Sequence, residues 1–215
     1  STQSRSSAAS DVYKRQVKGR SIHSLLGEEQ KRVRAYVAGG YYAKNKGLKE
    51  LQEELLHNVE NLNATAIKIK IGDPNAGISE DMKRVEAARN AIGPNIDLLV
   101  DANCAFDLNT AIEYAKEMEN YDIYWFEEPL AIHDFKAHKT LNSSTSLMIA
   151  AGENYYTLAD FETLIENNGA GMLNVDATIC PGYDVALKVA KLAKKKGLKI
   201  APHGCQELQL SLIHI

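Results

Sequence analysis

The chain has 215 residues, 45% hydrophobic and 25% charged, with 25 Lys and Arg against 28 Asp and Glu for a net charge of −3. That composition supports a folded core and excludes collagen-like and disordered chains, while three scattered cysteines (Cys104, Cys180, Cys205) exclude a disulfide scaffold. No apolar run reaches the roughly 18 residues a membrane helix needs, and near-neutral charge gives no general reason to expect a nucleic-acid partner.

In chain order, the first feature is a foreign signature. Asp11 to Gln16 read DVYKRQ, and Leu210 to Ile215 read LSLIHI. The DNA stretch CTG TCT CTT ATA CAC ATC encodes the second, and its reverse complement encodes the first. That stretch resembles the transposase end sequence used to prepare sequencing libraries, and Ser6 to Ser10 (SSAAS) continues as its adapter. Residues 1–16 and 210–215 are therefore expected to be adapter-derived tails, with 17–209 the native segment.

Short apolar runs of strand type then alternate with amphipathic helical stretches. Strands are expected over Val33–Ala38, Ala66–Ile71, Asp97–Val100, Ile123–Phe126, Leu147–Ala150, Met172–Val175 and Lys199–Ala201. Between them, Leu48, Leu51, Leu55 and Val59 form one helical stripe, and Met82, Val85 and Ile92 another. Val185, Val189 and Leu192 form a third, with Lys188, Lys191 and Lys195 on the opposite, solvated face. Ser79, with Glu80 and Asp81 in the first turn, and Thr157, with Asp160 three residues on, read as helix starts; Gly197 reads as a stop.

Strand–helix–strand units imply parallel strands with right-handed crossovers, which fit a (β/α) barrel or a doubly wound sheet. No G-x-G-x-x-G or phosphate-binding G-x-x-x-x-G-K-S/T follows a strand. The ionisable residues decide between the two architectures. Lys70, Asp101, Glu127, Glu153, Asp176 and His203 end six successive strands at nearly constant intervals. A barrel gathers such strand ends on one face, whereas an open sheet spreads them along a line. The barrel is favoured.

The run Ile67-Lys68-Ile69-Lys70-Ile71 alternates with period two. Taken alone it reads as a strand with lysines toward water, but a parallel strand flanked by helices has no solvent face. In a barrel the isoleucines pack outward and both lysines point inward, where they need anionic partners and where burial can tune a lysine for proton transfer. Asp101, Glu127 and Glu153 would repel one another at a barrel mouth, so something positive is expected among them. Oxygen ligands without His or Cys favour Mg²⁺ over zinc. Asn103 and Glu128 are expected beside these ligands. Asp176 and His203 are expected as neighbours, forming a dyad in which the carboxylate orients the imidazole; a lone loop histidine is the alternative. Tyr41 and Tyr42 are expected to pack in the core or against a cap rather than line the pocket, and the cysteines have neither zinc nor disulfide spacing.

Lys68-x-Lys70, Asp101-Ala-Asn103, Phe126-Glu127-Glu128-Pro129, Ala151-Gly152-Glu153-Asn154, Asp176 and Ala201-Pro202-His203 occur in order at a spacing that resembles the mandelate racemase subgroup of the enolase superfamily. The resemblance covers 33–209. It implies a (β/α)₇β TIM-like barrel, here incomplete with about seven strands, and a capping α+β domain that is largely missing. It implies Mg²⁺ on Asp101, Glu127 and Glu153, acid/base catalysis by Lys70 and the His203–Asp176 pair, and contact of Lys68 and Asn103 with the substrate. The implied chemistry is abstraction of the proton alpha to a carboxylate, with Mg²⁺ and Lys68 neutralising the ene-diolate. The Ala201-Pro202-His203 ending resembles acid-sugar dehydratases; racemase, epimerase or cycloisomerase action is the alternative, and a non-catalytic binding barrel is another. The segment after Asp176, Ala177-Thr178-Ile179-Cys180-Pro181-Gly182, departs from the resemblance, since similar proteins often show a double glycine there. The resemblance also implies a small-molecule carboxylate substrate, a cytoplasmic location and a homo-oligomeric parent. The 215-residue chain itself, lacking a strand and its cap, is expected to expose sheet edges and to be inactive.

Overall fold

The computed structural model describes residues 19, 24 and 33–204. The two expected adapter tails and Cys205 lie outside the described residues. In order along the chain come β1 (Val37–Ala38), α1 (Leu48–Leu62), β2 (Ala66–Lys70), α2 (Ile78–Ile92), β3 (Asp97–Asp101), α3 (Leu108–Met118) and β4 (Ile123–Glu127). They are followed by α4 (Phe135–Ser144), β5 (Ile149–Ala151), α5 (Leu158–Glu166), β6 (Met172–Leu173), α6 (Tyr183–Lys196) and β7 (Lys199–Ile200). The strands hydrogen-bond in chain order, β1 through β7. A doubly wound sheet reverses its order at a switch point; this one does not, which is the barrel arrangement. All seven expected strands are present with shifted ends, β1 being the shortest relative to expectation because only Val37 and Ala38 pair with β2.

The chain divides into two compact units, one of Arg34–Ala150 with Asn167–Ala170, the other including Ala151–Glu166 and the residues from Gly171. In the first, Ile67, Leu98 and Ile123 share a register position and are buried. Lys68, Leu99 and Trp125 form a second row, and Lys70, Asp101 and Glu127 a third. These rows exist because the β3–β4 register slips between Leu98 and Leu99: Leu98 pairs with Ile123, but Leu99 pairs with Trp125. Tyr124 is the extra residue of a bulge. A one-residue slip exchanges the faces of a strand. Without it Phe126, not Glu127, would stand level with Asp101.

Helix α1 buries Leu51 and Leu55, one turn apart, while Leu48 is 41% exposed and Asn58, rather than Val59, takes the next buried position. Its start is set by the Gly47 N–H donating to the Glu50 carboxylate at 2.8 Å. Helix α2 starts one residue before the expected Ser79, with Gly77 as its N-cap, and buries Met82, Val85 and Ile92. Asp81, expected in the first turn of this helix, is fully buried. At its far end Arg89 bonds the carbonyls of Gly93, Ile96, Tyr121 and Asp122, tying the α2–β3 and α3–β4 connections together.

In the second unit the Thr157–Asp160 capping box forms as expected, each backbone N–H donating to the other's side chain at 2.8 and 3.2 Å. Gly197 ends α6 in the left-handed conformation at φ 70°. Lys188, Lys191 and Lys195 are exposed, and Lys188 pairs with Asp184 at 2.6 Å. The β6–β7 pairing continues past the strands, Ala201 N–H donating to Leu173 O at 2.9 Å and His203 N–H to Val175 O at 3.0 Å. That continuation brings His203 beside Asp176.

Candidate active site

In the first unit, backbone bonds run on beyond the carboxyl ends of β2, β3 and β4: Ile71 donates to Asp101 O, Ala102 to Glu127 O and Glu128 to Ala150 O, at 2.9 to 3.0 Å. The strand ends are thus held level, and the third row of side chains forms a cluster. Lys68 Nζ, 4% exposed, lies 2.6 Å from Glu127 Oε1 and 3.0 Å from Asp101 Oδ2. Lys70 Nζ donates to Asp101 Oδ2 and to Asn103 Oδ1, and the Asn103 N–H donates to Asp101 Oδ1 at 3.0 Å. Burial alone would lower the Lys68 pKa, but the charges of Glu127 and Asp101 outweigh it and raise it. Burial likewise works against the Asp101 carboxylate, yet Lys68 and Lys70 hold its pKa below the usual range. Lys68 is therefore a fixed cation, not a tuned base.

The two lysines already balance Asp101 and Glu127. The expectation that mutual repulsion demands an added cation is corrected here for those two acids, because the chain supplies their counter-charges. The argument for a metal rests instead on the donors. Asp101 and Glu127 of the first unit and Glu153 of the second are all buried. An all-oxygen, all-carboxylate set fits a hard divalent cation such as Mg²⁺ and not zinc.

Sequence reasoning missed Trp125. Its indole Nε1 donates to Glu127 Oε2 at 2.8 Å, and its ring meets Tyr36 edge-on at 5.3 Å, with Lys68 Nζ 5.3 Å from the centre of the Tyr36 ring. Period two backward from Glu127 points to Trp125. Asn103, Cys104 and Glu128 have φ of 43°, 62° and 40°. Non-glycine residues in this left-handed region carry strain that the surrounding contacts must hold. Glu128 is buried, its Oε2 3.6 Å from the Cys104 thiol.

In the second unit Glu153 follows β5 and is buried. His203 Nδ1 lies 3.0 Å from Asp176 Oδ2 and Nε2 lies 3.3 Å from Glu153 Oε2. Thr178 supplies both its N–H and its hydroxyl to Asp176 Oδ1, each at 2.7 Å. Burial opposes the Asp176 charge, but His203 and Thr178 hold its pKa below the usual range. Asp176 accepts the Nδ1–H of His203, and a protonated imidazole carries its second proton on Nε2, which faces Glu153 Oε2. Gly204, at φ 69°, packs so closely that a Cβ would stand 2.6 Å from Asp176 Oδ2. Burial together with Asp176 pushes the Cys180 thiol up to about 11.

Tyr41 and Tyr42 do line a cavity, contrary to expectation. With Lys70, Asn103 and the Ile71–Pro74 loop they bound a space of about 450 Å³ beside Lys70. They lie there because the chain after β1 passes over the end of β2, where the Lys70 N–H meets Gly40 O at 3.5 Å.

The family profile of enolase C-terminal domain-like proteins matches residues 50–215. The chain belongs to that family. Among curated relatives, L-talarate/galactarate dehydratase of Salmonella typhimurium is 34% identical over 194 residues, covering 90% of this chain and 48% of the relative. D-galactarolactone cycloisomerase of Agrobacterium fabrum is 30% identical over 191 residues, covering 86% and 48% respectively. The crystal structure of L-talarate dehydratase from Polaromonas, complexed with Mg and L-glucarate, superposes with a TM-score of 0.83 at 32% identity, over 89% of this chain and 53% of that one. The chain thus spans about half the length of the relatives it matches. Its fold is part of the enolase-superfamily barrel, and no described helix is long and apolar enough to cross a membrane.

Proposed function

We propose that the chain is the larger part of the barrel of a Mg²⁺-dependent enzyme that removes the proton alpha to a carboxylate, acting as a dehydratase that converts an acid sugar to a 2-keto-3-deoxy acid. One observation carries this reading. Lys70 stands in register with Asp101 and Glu127, so a proton-transfer group and two oxygen ligands share one row of side chains. The proton alpha to a carboxylate is too weakly acidic for an unaided amine or imidazole. Asp101, Glu127 and Glu153 would hold Mg²⁺, which would supply positive charge against the negative charge that develops on the substrate carboxylate.

The chain's own residues do the rest. Lys68, a fixed cation, binds the substrate carboxylate. Lys70, which Asp101 and Asn103 orient, transfers a proton at the alpha carbon. His203, with Nδ1 anchored on Asp176, presents Nε2 to protonate the departing β-hydroxyl. Asn103 contacts the substrate, and Glu128 supports the neighbouring ligand strand. The dehydratase relative and the mandelate racemase resemblance support this reading, while the cycloisomerase relative supports isomerisation on the same scaffold.

Galactarate, L-talarate and related acid sugars, incubated with the full-length protein and Mg²⁺ in D₂O, separate the outcomes. Dehydration yields 2-keto acid, racemisation yields alpha deuterium without loss of water, and a binding barrel yields neither. Lys70→Ala with unchanged turnover overturns the catalytic assignment. The proposed parent is a cytoplasmic homo-oligomer. The 215-residue chain alone is proposed to be inactive and partly molten, which a cooperative melt with Mg²⁺-dependent turnover would refute.

A further inference from the structure

Asp81 is a fully buried carboxylate that the proposed chemistry does not use. It projects from the first turn of α2 and collects three donors. Its Oδ2 accepts the Gly72 N–H at 2.8 Å and the Tyr114 hydroxyl at 2.9 Å, and its Oδ1 accepts the Tyr42 hydroxyl. The nearby guanidinium of Arg84 lies over the Tyr42 ring, 4.0 Å from its centre, and donates to Gly40 O at 2.6 Å. Both of those contacts steady the segment after β1 instead of forming an ion pair with Asp81.

Two of the three donors border the cavity beside Lys70. Tyr42 belongs to the segment after β1, and Gly72 opens the loop after β2. Gly72 is closely packed: it sits at φ 84°, and a Cβ there would stand 2.7 Å from the Ala105 Cβ. Its N–H is therefore aimed by a tightly packed backbone, and Asp81 is the acceptor that meets it. The third donor differs. Tyr114 lies on α3, is buried, stacks on Phe106 at 4.1 Å and does not border the cavity.

We propose that Asp81 is a positioning residue that clasps the segments after β1 and β2 through the Tyr42 hydroxyl and the Gly72 amide. In doing so it sets the wall of the pocket that receives the polyhydroxylated part of the substrate beyond the reacting carbon. The inference rests on the acid-sugar reading and adds the subsite and its support. The pocket suits such a group. Tyr41, 52% exposed, offers a ring face, and Asp73 and Asn103 border the space with hydrogen-bonding side chains. Burial and the Asp81 carboxylate raise the Tyr42 pKa, so the phenol stays protonated as the donor.

The test compares two single-hydroxyl deletions on one carboxylate. Tyr42→Phe and Tyr114→Phe each remove one donor from Asp81, and only the first borders the pocket. In the full-length protein with Mg²⁺ and the acid sugar it turns over, Tyr42→Phe and Asp81→Asn are expected to raise KM about tenfold with kcat within about threefold, the pattern of lost uniform binding. Tyr114→Phe is expected to lower the melting temperature while leaving KM unchanged. Mg²⁺ affinity by calorimetry is expected to match wild type in all three. A KM for Tyr42→Phe no different from wild type, or equal KM changes in Tyr42→Phe and Tyr114→Phe, overturns the inference. Should Asp81→Asn fail to fold, the tyrosine pair still decides. A wild-type protein that turns over no acid sugar overturns the functional reading itself, and this inference with it.

Discussion

Replacing Lys68 by Met tests the charge balance of the cluster. Methionine keeps most of the side-chain volume, so the change is chiefly electrostatic. In the structure Lys68 is 4% exposed and its Nζ reaches Glu127 at 2.6 Å and Asp101 at 3.0 Å. Asp101 keeps Lys70, and Glu127 keeps the Trp125 indole at 2.8 Å, a neutral donor that cannot replace a charge. Breaking a buried ion pair by removing one partner costs about 3–5 kcal/mol, since the remaining charge stays desolvated. In EDTA, urea unfolding of the full-length protein is therefore expected to show the barrel transition destabilised by about 3–5 kcal/mol. Trp125, the only tryptophan in this sequence, sits against Glu127 and gives a local fluorescence signal. In millimolar Mg²⁺ the ion restores positive charge beside the orphaned carboxylates, so the variant is expected to recover more stability than wild type does. Turnover is expected to be lost in both conditions. A variant within about 1 kcal/mol of wild type in EDTA, or an equal Mg²⁺ increment in both proteins, refutes the reasoning.

Trp125→Phe keeps the ring but removes a buried hydrogen bond to a charged acceptor, so a loss of about 2 kcal/mol is expected by urea unfolding, with Mg²⁺ affinity weakened about tenfold or more by calorimetry. Gly204→Ala places a Cβ 2.6 Å from Asp176 Oδ2 at φ 69°, and turnover is expected to fall at least about tenfold while Mg²⁺ binding persists. His138, buried on α4 near Asp134, is held below its ordinary pKa of 6.5, first by burial. A histidine lowered in the folded state binds protons preferentially when unfolded, so its contribution is complete above pH about 6.5 and fades as pH falls below it. Urea midpoints are expected to decline from pH 7 to pH 5 by less in His138→Gln than in wild type; an equal decline refutes this.

Much of the candidate site was legible in the primary order. Lys70, Asp101 and Glu127 end successive strands, Glu153, Asp176 and His203 follow shortly after the next three, and Lys68 shares the face of Lys70 through strict alternation. Those regularities follow from the period of a β-strand and from the repeated length of a strand–helix unit, both local properties. The Thr157–Asp160 box and the Gly197 stop were local as well, and the structure shows both. The choice of barrel over doubly wound sheet rested on where polar groups fell, and the unbroken strand order agrees with it.

Other features were decided only by tertiary packing. The bulge at Tyr124, which levels Glu127 with Asp101, comes from the pairing of β3 with β4 and leaves no mark in local alternation. Asp81 read only as a first-turn helix acid, and its burial depends on donors from the segments after β1 and β2 and from α3 that meet only in the folded chain. Thr178 and Gly204 gained their roles from the one carboxylate they both approach. Periodicity along a chain reports which side a residue faces; which partner waits on that side depends on contacts between distant segments, and that pairing exists only once the strands have closed on one another.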